Sequence, residues 1–471
     1  MNDKKITWVL LLISALFLTL IIYLTAVDFL YRDEYSSSNL NARTLAREES
    51  VMRGTIYDRN GEVLAYSKID ADVQKRYYPH IKLYSHVIGY SSKTYGKSFI
   101  EKTYNSYLLG QDNLNAVFNI KNLIKGDMSE GNDLHLTIDH NTQLRASNLM
   151  ERYRGALVAL DPKTGEIIAM VSKPDFNPNE TYLHRSWSDL NSNEYSPFLN
   201  RATMGLYPPG STFKMVTTAM MHEQGLDGEV IDDQEGKTTI GGYTLANTKN
   251  AAYGETDIHK AFTRSSNVYF ATMGAAMSSD NFEKTAGKLM FNRKFGMDFP
   301  YATSKFHTSK MSNAERAATA IGQGKTLISP LHLAMITGAV ANGGKMMTPY
   351  IVSSVTTPNG TTVKSESPSA LASPFSAETA DFVKQLMIDT VEHGTGTNAQ
   401  IWGVEVGGKT GTAENEKTDE NPEKTHALFV AFASDNSKDV AVAVILEYAG
   451  STGGSIAAPI AREVIRTYLS N

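Results

Sequence analysis

A serine and a lysine three residues apart form the pair in this sequence best suited to covalent chemistry. Ser211 and Lys214 follow a Pro-Pro-Gly break, and the apolar run 215–221 predicts a buried helix. Residues three apart share a helix face, so Ser211 is predicted in the first turn beside Lys214. A serine hydroxyl becomes an effective nucleophile when a nearby base takes its proton. Lysine can be that base if burial or positive charge lowers its pKa from about 10.4.

The alternative for this pair is a helix cap followed by a surface lysine. Ser211 and Lys214 are the only Ser-x-x-Lys pair in the chain, and they lie between a chain break and an apolar helix. Backbone N–H groups at a helix N-terminus can also stabilise a developing oxyanion. These features favour acyl transfer.

Acyl-transfer sites of the Ser-x-x-Lys kind also use a Lys-Thr-Gly segment, and this sequence has two. The copy at 163–165 lies in a Pro-Lys-Thr-Gly-Glu stretch between two predicted strands, so a turn is the better interpretation. The copy at 409–411 follows two glycines, which let a ligand approach the backbone closely. We therefore predict Lys409, and not Lys163, in the site.

The third element of such sites is Ser-x-Asn, for which this sequence has several matches after Ser211. Residues 279–281 are predicted to cap a helix that begins at Phe282, and residues 434–436 to form a turn between strands. Ser265 and Asn267 come 54 residues after Ser211 and open a helical stretch. The sequence therefore favours Ser265 and Asn267 over the two literal Ser-Asp-Asn matches.

Residues 403–410 match the Walker A pattern of nucleotide-binding loops letter for letter. Such a loop requires a buried strand before it and a helix directly after it. The stretch 414–424 that follows is highly charged and has no apolar periodicity. Nucleotide binding is therefore the weaker interpretation.

Apolar segments around these motifs predict one sheet covered by helices. Residues 156–160 and 167–171 form one strand pair, residues 426–433 and 440–448 another, and about 200 residues of largely helical pattern lie between them. An amphipathic helix is predicted near 456–469. Two N-terminal and three C-terminal strands indicate an α/β fold class with a five-stranded antiparallel sheet sandwiched by helices. Residues 353–376 are predicted as a surface hairpin and loop.

The N-terminal segment predicts a membrane anchor. Residues 6–27 are uncharged and strongly apolar, and as a helix they would span about 33 Å at ~1.5 Å per residue. Lys4 and Lys5 precede the segment, which places the N-terminus in the cytoplasm and the later residues outside. A cleaved signal peptide is the alternative, but it would have a shorter apolar core and small residues at its cleavage site.

Composition and charge limit the structures and partners that the rest of the chain can have. Residues 31–150 are polar, and Asn60-Gly61 between strand-like segments predicts a hairpin in a mixed spacer domain. The net charge of −5 and the absence of a long basic run argue against nucleic acid as a partner. The chain has no cysteine, which excludes disulfides and thiolate–metal sites.

With its three motifs, the chain resembles the class B penicillin-binding proteins, the monofunctional peptidoglycan D,D-transpeptidases. Further segments carry the resemblance: Arg53 to Gly61, Glu101 with Tyr104 and Gly110, Gly155 to Pro174, Ile321 to Gly324, Gly394 to Gly396, and Ala457 to Ala461. The resemblance implies an anchor over 1–30, a spacer or pedestal over 31–150, and a serine β-lactamase/transpeptidase-like domain over 151–471.

The resemblance also implies roles for the matching positions. Ser211 would attack the penultimate D-Ala carbonyl of a D-Ala-D-Ala stem peptide, and Lys214 would accept its proton. Ser265, Asn267 and Lys409 would relay protons and hold the substrate. The hydroxyls of Thr410 and Thr412, on either side of Gly411, would bind the terminal carboxylate. The backbone N–H groups of Ser211 and Thr412 would form the oxyanion hole.

The implied partners follow from this chemistry. They are a D-Ala-D-Ala donor and an amine acceptor from peptidoglycan, β-lactams, a polytopic wall glycosyltransferase, and membrane lipid around residues 6–27. The resemblance implies no metal or organic cofactor. Two alternatives stay open: a D,D-carboxypeptidase or β-lactamase that uses water as acceptor, and a regulatory partner of a glycosyltransferase.

Overall fold

The computed structural model describes residues 3–36, 50–70, 73–111, 128–415, 424–435 and 437–471. The first helix, α1, runs over Asp3–Ser36. Its segment Lys4–Ala26 is 23 residues long and is the one helix among the described residues that is long and apolar enough to cross a membrane. This is the segment in which the sequence predicts an anchor. Most of the charged stretch 414–424 lies outside the described residues.

Fourteen α-helices are described in all. After α1 they are Phe99–Thr103 (α2), Asn105–Leu108 (α3), His140–Leu149 (α4), Glu180–Ser192 (α5), Arg201–Met204 (α6), Lys214–His222 (α7), Ile258–Arg264 (α8), Asn267–Ala276 (α9), Ser279–Lys288 (α10), Asn313–Ala320 (α11), Pro330–Ala341 (α12), Ala377–His393 (α13) and Ala458–Ser470 (α14). Single turns of 3₁₀ helix occur at Gly210–Phe213, Thr248–Asn250 and Thr397–Ala399, and a π-helical turn occurs at Gly453–Ala457.

Twenty-one strands are described. They are Val51–Met52 (β1), Ile56–Tyr57 (β2), Val63–Asp70 (β3), Val73–Tyr77 (β4), Ser91–Ser92 (β5), Gly96–Lys97 (β6), Ser129–Glu130 (β7), Asp133–Leu136 (β8), Gly155–Leu160 (β9), Ile167–Lys173 (β10), Ile231–Asp233 (β11), Lys237–Ile240 (β12), Tyr243–Ala246 (β13), Gly254–Thr256 (β14), Met346–Met347 (β15), Val352–Thr356 (β16), Thr362–Ser365 (β17), Ala370–Ala372 (β18), Glu405–Ala413 (β19), His426–Ser434 (β20) and Asp439–Leu446 (β21).

The predicted five-stranded antiparallel sheet is confirmed, in the order β10-β9-β21-β20-β19. Side chains alternate between its two buried faces, as strand geometry requires. One face, which includes Val158, Val430 and Ala443, packs in a large core with the apolar helix α12. The other face, which includes Leu157, Phe429 and Val444, packs against α14. Helices therefore cover both faces of the sheet.

A second sheet of six strands has the order β17-β16-β8-β2-β3-β4. The hairpin at Asn60-Gly61 joins β2 to β3, as predicted. Residues 352–365 do form a hairpin, but its strand β16 also pairs with β8, more than 200 residues earlier in the chain. The predicted surface hairpin is therefore built into the sheet of the spacer. The domain boundary at residue 150 stays a prediction.

A buried ion-pair network anchors the spacer sheet. Arg53 Nε donates to Glu101 Oε2 at 2.6 Å, and Arg76 Nε donates to Glu101 Oε1 at 2.7 Å. Burial raises the pKa of Glu101, but the two guanidinium groups outweigh burial and hold this pKa at about 2. Glu101 is therefore ionised. Its two ion pairs link helix α2 to strand β4 and to the segment between β1 and β2 that contains Arg53.

Two local predictions are corrected, and the structure also argues against nucleotide binding, as the sequence does. Helix α10 begins at Ser279 rather than Phe282, because Ser278 occupies the N-cap position. Ser211 lies in a 3₁₀ turn just before α7, not within the first turn of the helix itself. The Walker A letters end inside strand β19, so the Lys409-Thr410 pair does not start a helix.

Candidate active site

The turn that carries Ser211 is fixed by backbone contacts on both sides. Tyr207 and Ile328 exchange backbone hydrogen bonds, and Gly210 N–H donates to Gly322 O at 2.9 Å. Gly210 has φ +53°, and a Cβ on Gly322 would lie 2.0 Å from Gly210 O. These positions therefore require glycine. The Pro-Pro-Gly break serves to place Ser211 at a defined point in front of α7.

Strand β19 passes directly beside this turn. A Cβ on Gly411 would lie 2.9 Å from the Thr212 methyl group, and a Cβ on Gly210 would lie 2.8 Å from Thr412 O. The Lys-Thr-Gly segment at 409–411 is therefore packed against the turn that carries Ser211. The copy at 163–165 lies elsewhere, in the turn between β9 and β10.

Lys214, the first residue of α7, is completely buried. Its Nζ donates to Ser265 O at 2.8 Å and to Asn267 Oδ1 at 2.7 Å, and it lies 3.3 Å from Ser265 Oγ. Burial lowers the pKa of Lys214 well below its ordinary value, and the nearby charge of Lys409 lowers it further. Among the described residues, no carboxylate forms an ion pair with Lys214 to oppose this shift.

Ser265 is held in an unusual backbone conformation between two helices. It closes α8 with φ 59° and ψ 43°, a left-handed conformation that is uncommon for residues other than glycine. The next residue, Ser266, caps α9 by accepting a hydrogen bond from Tyr269 N–H. The two helix ends together hold the Ser265 hydroxyl between the two lysines, with Lys409 Nζ at 2.9 Å.

Asn267 is positioned by a residue that the sequence motifs do not reveal. Asn247 Oδ1 accepts from the Asn267 N–H at 2.7 Å and from the Ser266 hydroxyl at 3.2 Å. The Asn267 amide donates to Ala246 O at 2.7 Å, which leaves its oxygen facing Lys214. Asn247 is buried, and it follows strand β13.

Lys409 is the second fully buried lysine of the site. Burial lowers its pKa to about 7. The next side chain, Thr410, shares a hydrogen bond of 2.8 Å with the Thr395 hydroxyl, while Thr412 is exposed. Thr395 is a further residue to which the sequence assigned no role, although it lies in a segment that resembles the family.

The arrangement has the donors and acceptors that acyl transfer from a serine requires. A neutral Lys214 amine has two N–H groups, which can donate to Ser265 O and Asn267 Oδ1. Its lone pair then remains available to accept a proton. Ser211 itself is half-buried. Hydrogen bonds join four of the predicted catalytic residues: Lys214, Ser265, Asn267 and Lys409. The fifth, Ser211, lies three residues before Lys214 in the turn beside β19.

Comparison with known protein families agrees with this geometry. Residues 155–466 match the family described as the penicillin binding protein transpeptidase domain. Residues 53–134 match the family described as the penicillin binding protein A dimerisation domain. The first match contains every predicted site residue, and the second covers much of the spacer sheet.

Individual relatives are similar over most of the chain. The peptidoglycan D,D-transpeptidase PbpA of Mycolicibacterium smegmatis is 31% identical, with 97% of each chain covered. The peptidoglycan D,D-transpeptidase MrdA of Acinetobacter baumannii is 33% identical over 84% of this chain, which spans 66% of that relative. The structure of penicillin-binding protein A from M. tuberculosis as a penicillin G acyl-enzyme complex is 30% identical. It has a TM-score of 0.83, with 89% of this chain and 100% of that chain covered.

The motif residues meet in one site, the five-stranded sheet is flanked by helices, and the transpeptidase match extends over 155–466. The chain belongs to the penicillin-binding protein family with a transpeptidase domain.

Proposed function

We propose that this protein is a serine-type peptidoglycan D,D-transpeptidase that cross-links stem peptides and is acylated by β-lactams. The observation that carries the proposal is the buried network in which Lys214 and Lys409 both contact Ser265, next to the Ser211 turn. The names of the relatives and the acyl-enzyme complex of the M. tuberculosis protein support the same activity.

In the acylation step, the Ser211 hydroxyl oxygen attacks the carbonyl carbon of the penultimate D-Ala. Lys214 accepts the hydroxyl proton as the new C–O bond forms. The backbone N–H groups of Ser211 and Thr412 stabilise the oxyanion, because they need no reorganisation when the charge develops. The C–N bond then breaks, and the terminal D-Ala leaves with a proton relayed through Ser265.

In the second step, the amine of a neighbouring stem peptide attacks the acyl-enzyme. The new amide bond forms while the C–O bond to Ser211 breaks, and the serine oxygen regains a proton. A β-lactam follows the first step only, because its opened ring stays on Ser211. No step of this chemistry requires a metal or an organic cofactor.

Substrate orientation is assigned to the β19 segment. The charge of Lys409 attracts the terminal carboxylate, and Thr410 and Thr412 donate hydroxyl hydrogen bonds to it. The Thr395 hydroxyl, 2.8 Å from that of Thr410, supports its orientation. Gly411 lets the substrate backbone approach the strand edge, while Asn267 keeps Lys214 in place.

Product analysis separates this proposal from its alternatives. We expect the purified protein to form cross-linked stem-peptide dimers when it is given a D-Ala-D-Ala pentapeptide and an acceptor amine, measured by mass spectrometry. Release of D-Ala with tetrapeptide as the only product would favour a carboxypeptidase. Absence of both products, with no acylation by penicillin, would favour a regulatory role.

The duplicated Lys-Thr-Gly gives a matched pair of variants. Lys409→Ala should slow penicillin acylation roughly ten- to a hundredfold, because it removes a charged hydrogen bond typically worth about 1.5–3 kcal/mol. Its thermal midpoint should stay near wild type, because the variant no longer has to bury an ammonium group. The measurement compares the penicillin acylation rate and the thermal midpoint of Lys409→Ala with those of Lys163→Ala and the wild type.

Lys163→Ala is the control for this experiment. Lys163 is 64% exposed and pairs with Asp439 at 2.6 Å, so we expect wild-type acylation and a stability within about 0.5 kcal/mol of wild type. If Lys163→Ala were the slow variant, the assignment of the site to the second Lys-Thr-Gly would be wrong.

The same proposal assigns a location to each part of the chain. Residues 6–27 contact membrane lipid, the N-terminus faces the cytoplasm, and the transpeptidase domain faces outward. The support is the apolar segment Lys4–Ala26 together with Lys4 and Lys5 at its start. An outward-facing catalytic domain has direct access to the wall polymer.

We also assign the spacer, residues 31–150, to binding a polytopic wall glycosyltransferase beside the anchor. The spacer contains none of the site residues and follows the membrane segment directly. We expect such a polymerase to co-purify with the full chain and to be lost when residues 1–150 are deleted. Equal recovery with a 151–471 fragment would contradict this role.

A further inference from the structure

A cleft of about 680 Å³ lies in the spacer region, away from the transpeptidase site. Its walls are the whole of β4, the segment 91–94 around the β5–β6 hairpin, and the start of helix α5 at Glu180 and Thr181. None of the residues assigned to acyl transfer lines this cleft. It is therefore a separate cavity with its own chemistry.

One wall of the cleft is a sheet edge. Strand β4 is the last strand of the six-stranded sheet in the described residues, paired with β3 on one side only. Its five residues, Val73–Tyr77, all line the cleft. An edge strand offers a row of backbone donors and acceptors to which an extended peptide can add as a further strand. Five strand residues span about 17 Å, so a short peptide segment fits along it.

The cleft also contains one buried donor and one buried acceptor without partners. The Arg76 side chain is 6% exposed, and its Nη2 has no hydrogen-bond partner among the described residues. Glu180 accepts from the Ser92 hydroxyl through Oε1, but its buried Oε2 has no such partner. A buried polar atom left unpaired costs free energy, so both atoms favour a ligand that supplies an acceptor and a donor.

The cleft carries a small excess of positive charge, which lies mainly in its buried arginine cluster. Arg53 and Arg76 share the single carboxylate of Glu101, which leaves one excess positive charge in that buried cluster. Lys93 adds a basic group to the wall, whereas the charge of Lys75 is balanced by Asp70 at 2.6 Å. Glu180 is the one acidic residue among the lining side chains. An acidic ligand group therefore matches the cleft better than a basic one.

We propose that this cleft binds an extended, acidic peptide segment of a partner protein, added as a strand on the edge of β4 that faces away from β3, where no described strand pairs with it. The ligand's backbone pairs with β4, one of its carboxylates bonds to the Arg76 guanidinium, and one of its N–H groups bonds to Glu180. A peptide is favoured over an acidic glycan because only the peptide supplies the regular row of backbone groups that β4 matches. The proposal is independent of the acyl-transfer chemistry.

Selection from random seven-residue peptides on phage, with the full chain in detergent micelles as bait, identifies binding sequences. We expect enrichment of β-branched residues around at least one Asp or Glu, with proline excluded. The selected peptide, made with a fluorophore, is then measured by fluorescence anisotropy. Replacement of its acidic residue with the matching amide should weaken binding by about ten- to a hundredfold, the range for loss of a charged hydrogen bond.

Two variants of the protein test the location. Thr181→Trp fills the cleft from an exposed position, and Lys93→Glu reverses a charge on its wall, so each should weaken binding at least as strongly. Asn191→Trp, later on the same helix, and Lys102→Glu, outside the lining, are the matched controls and should bind like wild type. All four variants should be acylated by penicillin at the wild-type rate, which shows that they are folded.

Three results would overturn the proposal. They are equal peptide binding by Thr181→Trp, selected peptides without an acidic preference, and failure to select any peptide. A polygalacturonate oligosaccharide serves as the comparison ligand. If it bound in a Thr181-dependent way while no peptide did, the cleft would be assigned to an acidic glycan instead.

Discussion

Ser211→Ala is expected to abolish covalent labelling of this protein by a fluorescent penicillin. Without the hydroxyl no acyl–oxygen bond can form, and removal of a serine nucleophile costs about 10⁶-fold in related chemistry. The fold should be retained, because Ser211 lies part-exposed in a turn fixed by Gly210 and Gly322. The measurement is gel fluorescence after incubation with the labelled penicillin, alongside the thermal midpoint.

Ser192→Ala provides a matched serine control at an exposed position at the end of helix α5. It should be labelled like wild type. Labelling of Ser211→Ala at the wild-type rate would rule out Ser211 as the nucleophile.

Lys214→Ala is expected to slow penicillin acylation by about 10²–10⁴, the usual contribution of a general base. Burial, and then the charge of Lys409, lower the pKa of Lys214, which favours the neutral form that can accept a proton. The wild-type rate should rise with pH as Lys214 deprotonates. The variant should lose that rise, as measured by stopped-flow acylation across the pH range.

Lys214→Arg tests whether fast acylation requires a group that can accept a proton or only a positive charge at this position. A guanidinium group stays protonated at every accessible pH, so arginine should not restore the rate. An active Lys214→Arg variant, or an unchanged pH profile in Lys214→Ala, would show that another group accepts the proton.

The lysine pKa shifts also set the sign of a stability effect. Folded-state pKa values below those of the unfolded chain mean that folding releases protons between the two values. Stability contributed by these groups therefore rises with pH from about 7, the folded value for Lys409, towards the ordinary lysine pKa. Burial of both lysines thus costs stability at low pH and supplies a base for chemistry.

The sheet of the transpeptidase region was predictable because its strands are continuous apolar runs with clear turn residues between them. Segments such as 155–160 and 426–434 are buried on both faces, and such strands have few polar interruptions. The turns at Asp161 to Glu166 and at Ser434 to Asp439 carry the expected turn-forming residues.

The pairing of β16 with β8 was not predictable from local pattern. Val352 pairs with Leu136 across more than 200 residues of sequence, and nothing in either short segment specifies its partner. Register in a sheet depends on burial and on neighbouring strands, which a local pattern does not contain. For the same reason, the ion pairs of Glu101 with Arg53 and Arg76 could not be predicted from the sequence.

Those parts of the candidate site that depend on spacing along the sequence were predictable. The parts that depend on how distant segments pack together were not. Ser211 lies in the 3₁₀ turn that leads into the helix begun by Lys214, so their proximity follows from three-residue spacing. Ser265 was found by its distance from Ser211 along the chain, but its left-handed conformation was not foreseen. Asn247 belongs to no motif, and Thr395 lies in a family-like segment but had no assigned role. The contacts of both residues depend on how separate segments pack.

The position of the acyl group tests the central claim most directly. After acylation by penicillin G and digestion with trypsin, mass spectrometry should place the added mass on the peptide 202–214, which contains Ser211 and ends at Lys214. Fragmentation should assign the mass to Ser211 itself. An adduct on the peptide that begins at Ser265, or on any other segment, would contradict the account of Ser211 as the nucleophile of this penicillin-binding protein.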